Sequence, residues 1–66
     1  MTQVEKFGYY MYNQWNYDES VLIFGKDLGN HIFNKWCDNK DVMYFFMSLD
    51  SECRLKLIAR AEKFYE

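Results

Sequence analysis

Gly25, Lys26 and Gly29, in the stretch FGKDLGNHIFNKW from Phe24 to Trp36, set a lysine among glycines, the combination found in many phosphate-binding loops. The chemistry would be capture of a phosphate by backbone N–H groups, with the lysine neutralising charge. The spacing does not fit it. A P-loop needs a glycine five residues before the one adjoining the lysine and a Ser or Thr after it, and those places hold Ser20 and Asp27. A dinucleotide fingerprint needs G-x-G-x-x-G after a strand, whereas the chain's three glycines are Gly8, Gly25 and Gly29.

His31, Cys37 and Cys53 are the residue types that bind zinc, but no pair has C-x-x-C or H-x3-H spacing. On a helix turning about 100° per residue, His31 and Cys37 point about 120° apart. No metal and no cofactor is therefore expected, and His31, four residues from both Asp27 and Lys35, reads as an exposed helix residue. Nucleophilic catalysis at Ser20, Ser48, Ser51 or a cysteine would need a base and an orienting acid, and there is one histidine. The paired carboxylates Asp38 with Asp41 and Asp50 with Glu52 sit where helix starts favour negative charge. The chain is not expected to be an enzyme.

Lys56, Arg60 and Lys63 form a basic strip on the outer face of the last helical segment, flanked by Glu52 and Glu66. Ten acidic against eight basic side chains give a net charge of −2, which disfavours nucleic acid as a partner. A small DNA-binding regulator remains an alternative that would have to use this strip.

These side chains are positioned by helices. The chain has no proline, no low-complexity linker and no sustained apolar–polar alternation, so strands have little support. The period predicts an all-α fold, a compact small bundle of three longer helices plus one short one, about 3–15, 18–37, 40–49 and 51–65. In the first, Val4, Phe7, Gly8, Met11 and Trp15 form one stripe. Asn16 and Glu19 have capping-box spacing before the second. There Val21, Gly25, Leu28, Gly29, Ile32 and Trp36 share a face without loss of phase, which makes the opening stretch one continuous helix with inward glycines. Each glycine weakens a helix interior by about 1 kcal/mol. Gly8, Gly25 and Gly29 are thus expected to mark close approach of another backbone or ring, or of a partner's side chain.

Asp38 or Asn39 can cap the third segment, in which Val42, Phe45, Phe46 and Leu49 make a stripe with Met43 and Met47 on a neighbouring line. A buried strand over Val42 to Met47 is the competing reading. Asp50 or Ser51 opens the last helix, with Leu57, Ile58, Ala61, Phe64 and Tyr65 inward and Arg54 oddly placed in the same arc.

With 66 residues the chain makes one domain able to bury only about 60% of its unfolded surface. Fourteen aromatic rings exceed what such an interior can enclose. The longest apolar run, Val42 to Met47, is far short of the roughly 20 residues of a membrane span. The absence of a signal peptide and the two cysteines suggest a reducing cytoplasm with both thiols free.

In YYMYNQWNY, from Tyr9 to Tyr17, the residues Tyr9, Tyr10 and Tyr17 lie away from the apolar stripe or at its margin. Tyrosines exposed together make contact surfaces, and the same tyrosines packed on neighbouring helices are the other reading. The function expected is a protein-interaction module, binding itself as a homodimer or another protein. In size and acidic composition the whole chain also resembles the accessory proteins of phages and mobile elements, including anti-CRISPR proteins. That resemblance implies inhibition of a host nucleic-acid enzyme and transfers no residues.

Overall fold

Thr2 opens the first helix: its hydroxyl accepts from the Glu5 N–H at 3.1 Å while the Glu5 carboxylate accepts from the Thr2 N–H at 2.9 Å. In the computed structural model, which describes all 66 residues, five helices follow in order and there is no strand. They are α1 (Gln3–Asn13), α2 (Tyr17–Phe24), α3 (Lys26–Asn39), α4 (Val42–Ser48) and α5 (Ser51–Phe64). The same carboxylate or carboxamide device starts three of them. Asn16 accepts from the Glu19 N–H, Asp41 from the Tyr44 N–H and Asp50 from the Cys53 N–H, all at 2.8–2.9 Å.

The helix expected over 18–37 is two helices. Gly25 has φ +86° and ψ 170°, a region essentially open to glycine alone. Its N–H closes α2 on the Val21 carbonyl, and its own carbonyl accepts from the Gly29 N–H to start α3, each at 2.8 Å. In a straight helix Ser20 and Gly29 would lie about 13 Å apart along the axis. Here the buried Ser20 hydroxyl donates to the Gly29 carbonyl at 2.6 Å, because the corner folds α2 back on α3.

Gly29 is a place of close approach, as its spacing suggested. A Cβ there would sit 2.7 Å from the Ser20 carbonyl oxygen and 2.9 Å from Val21 Cα. The other two glycines differ from expectation. Gly25 is exposed and acts through its backbone angle, not a buried face. Gly8 has nothing within 4 Å of where a Cβ would be, so no helix crosses there.

The remaining boundaries move by a turn or less. α1 stops at Asn13, yet Trp15 stays in the core, its backbone N–H bonded to the Tyr10 carbonyl at 2.8 Å. α3 runs through Asp38 and Asn39, which therefore do not cap α4, and ends on Lys40 in the left-handed region at φ 47°. Val42 to Met47 is helical, not a strand.

The core is one cluster: Phe7, Tyr10, Met11, Trp15, Ile32, Trp36, Phe45, Leu49, Cys53, Leu57 and Ala61. Trp15 sits among Tyr10, Phe33 and Phe45 at centroid distances of 6.2–6.4 Å, and Trp36 meets Phe45 edge-on at 5.5 Å. Such pairs add about 0.5–1.5 kcal/mol beyond their buried area. Aromatic density is how a chain this short fills its interior. Val4, expected inside, is 76% exposed, and Leu28 is exposed as well.

The three glycines should separate cleanly on substitution by alanine. Gly29→Ala should lose about 1–3 kcal/mol by forcing α2 off α3. Gly25→Ala should lose about 1–3 kcal/mol through backbone strain. Gly8→Ala should gain about 0.5–1 kcal/mol, since it fills open space in a helix interior. Urea unfolding measures all three, and a loss at Gly8 matching that at Gly29 would contradict the crossing described.

Candidate functional site

Three helices are tied at one carboxylate. Glu19 of α2 accepts from Arg60 Nε at 2.8 Å and, through its second oxygen, from Arg60 Nη2 at 3.0 Å. The Tyr10 hydroxyl of α1 donates to the same Glu19 Oε1 at 2.7 Å. Arg60 also lies over the Phe64 ring, 4.9 Å from its centroid. The two hydrogen bonds from Arg60 are the main reason the Glu19 carboxyl is held below its ordinary range; the Tyr10 bond adds to this and partial burial opposes it. Burial, and next the Glu19 carboxylate, push the Tyr10 phenol well above its ordinary value. The arrangement is a fixed ion pair with a neutral phenol, which holds α1, α2 and α5 together.

Beside this frame an apolar groove opens between α1 and α4. Phe7 and Phe46, edge-on at 5.1 Å, contribute with Ile58 of α5. Gln3 and Val4 line it from α1, and Val42, Met43 and Met47 from α4, enclosing about 330 Å³. Gln3 is the sole polar lining residue, and its Nε2 is turned to Glu62 Oε1 at 3.0 Å. Met43 and Met47, one turn apart, are 66% and 64% exposed.

α4 presents this ridge because its seven residues bury only Phe45. Two of its C-terminal carbonyls are held from outside: Arg54 donates through Nε to Phe46 O at 2.9 Å and through Nη2 to Met47 O at 3.1 Å. That explains a basic residue in the apolar arc of α5, and the guanidinium also lies 5.3 Å from the Phe46 centroid.

The site residues suggested by sequence do not form one surface. Tyr10 is fully buried, so it is not an interaction residue; its spacing off the stripe reflects the reach of its hydroxyl to Glu19. Tyr9 and Tyr17 are exposed but held against different helices, Tyr9 near Tyr65 at 6.4 Å and Tyr17 edge-on to Phe33 at 5.8 Å. Tyr9 joins Glu5, Gly8 and Tyr12 around a shallow notch. In the basic strip, Arg60 is turned inward to Glu19, and Lys56 is 3.8 Å from Glu52, which leaves Lys63 alone. His31 and Cys37 are exposed, Cys53 is buried, and no three His, Cys, Asp or Glu side chains converge as metal ligands would.

The groove went unmarked in the sequence apart from the Met43–Met47 line beside the α4 stripe. No helix is long and apolar enough to cross a membrane. No family model, curated protein or solved structure matches the chain.

Stability should fall at both ends of the pH scale. Glu19, Glu5 and Asp50 all have lowered values in the fold, the last two through hydrogen bonds from the Thr2 and Cys53 backbones. Their contribution is complete above the unfolded carboxyl range of about 4 and is lost as pH falls through the lower folded values. Cys53 and Tyr10 have raised values, burial being the first cause for each. Their contribution is complete below the unfolded values, about 8.5 and about 10, and is lost as pH rises through the folded ones. Tyr10→Phe should shrink the alkaline loss to the part due to Cys53 and keep the acid limb, as read by denaturant unfolding across pH. An alkaline limb identical to wild type would remove Tyr10 as its source.

Proposed function

We propose that this chain is a non-enzymatic protein-interaction module that docks through the apolar groove between α1 and α4. The observation that carries the reading is the exposure of Val4, Met43 and Met47 around an open groove whose lining is apolar except for Gln3. Apolar side chains exposed together around a concave surface mark contact sites more often than apolar side chains scattered singly. Methionine suits such a face, because its flexible, polarizable side chain adapts to a partner's contour. A cytoplasmic setting accords with the free thiols Cys37 and Cys53.

Two other readings have less support. A DNA-binding regulator would need Arg60 in its basic strip, and Arg60 is engaged by Glu19. An inhibitor that mimics nucleic acid would need its acids arrayed, whereas Glu5, Asp41 and Asp50 serve as caps and Glu19 is paired.

A photo-crosslinking residue placed at position 43 tests the proposal in cells producing the chain. A discrete adduct from position 43, absent when the probe sits at the equally exposed Leu22 of α2, is the expected result. No adduct, or the same adducts from both positions, would defeat the proposal. Retention on a DNA column at low salt would favour the regulator instead.

A further inference from the structure

We infer that the occupant of the α1–α4 groove is the same groove face of a second copy of this chain, in a two-fold symmetric dimer. The inference rests on the interaction reading above and adds the identity of the partner.

Self-association requires that one face carry both a hole and the knob that fills it, since an isologous interface pairs a patch with itself. This face does. The ridge of Met43 and Met47 stands directly beside the groove that Val4, Phe7, Phe46 and Ile58 line, so rotation by half a turn sets each ridge opposite the other copy's groove. The lining is uncharged, so two identical copies meet without like-charge repulsion at the centre, while Glu62 and Arg54 stand at the margins.

Area supports the same partner. A stable interface buries about 800 Å² per protomer, close to one-fifth of this chain's 4413 Å² surface. Val4, Met43, Met47 and Leu55, each 64–76% exposed, are the large apolar side chains that this face would bury, with Leu55 one turn before Ile58. The monomer has reason to bury it. Eleven hydrophobic residues form its core, whereas twelve large ones are exposed, and chains this small often gain stability by oligomerising.

Light scattering and sedimentation equilibrium on the purified full chain provide the test. Wild type should show a mass near twice 8.1 kDa. Met43→Glu combined with Met47→Glu should weaken association by about 100-fold or more, since each substitution enters a symmetric interface twice. Both positions are exposed in the monomer, so helicity by circular dichroism should be retained. Leu22→Glu, on another helix, should leave the dimer intact. A wild-type monomer at about 1 mM, or a dimer unaffected by the double substitution, overturns the inference. The position-43 crosslink separates the two proposals: an adduct of twice the chain mass supports both, an adduct with a different protein keeps the interaction module and overturns the second copy, and no adduct ends both.

Discussion

The Glu19 carboxylate is the point on which the fold turns. It accepts from Tyr10 of α1 and Arg60 of α5, and the next residue, Ser20, donates to the Gly29 carbonyl of α3. α2 has eight residues and contributes only Ser20 to the fully buried set. Its importance is in placing these two polar side chains, back to back in sequence, toward opposite neighbours. Removing one partner would leave a charge or hydroxyl poorly solvated, and that is costlier than the net strength of the bond itself.

The rest of the structure divides along this hub. On the side of Tyr10 and Trp15 the rings close into a dense core with edge and tilted contacts. On the side of α4 the packing is one-sided, because a seven-residue helix with one buried residue cannot cover its own ridge. α4 is held there by its Asp41 cap at one end and by Arg54 at the other, both acting on backbone groups. Side chains are thereby left over for the surface. A fold that fixes a helix by its ends can present its flank.

How much of this could be read in advance depended on how local the determinant was. Asn16 and Asp50 were legible as caps because capping is decided within four residues. The helical class, Phe7, Met11, Trp36, Leu57 and Ala61 followed from period alone. Gly25 was misread for a physical reason: a one-residue corner inserts nothing, so the apolar phase from Val21 to Trp36 passes through it unchanged. Only the close approach at Gly29 survives that error, its neighbour being the Ser20–Val21 backbone of α2. Tyr10 and Arg60 fall outside the apolar stripes of their own helices, so periodicity places both at the surface. Their pairing through Glu19 spans nine and forty-one positions and leaves no local trace. The groove was hidden for the same reason, since it is made by three helices that each look ordinary.

The corner at Gly25 also makes one of the contacts of α2 local and leaves another remote. Ser20 and Gly29 are nine positions apart, so α2 can fold against α3 as soon as that stretch of chain exists, at little loop-closure entropy. Glu19 is in a different position, for its cation stands forty-one residues downstream. The α2–α3 corner is therefore a local contact, whereas the ring of α1, α2 and α5 needs both ends of the chain. Arg60 is the distal half of that ring: a chain cut before it keeps the corner and loses the tie among α1, α2 and α5.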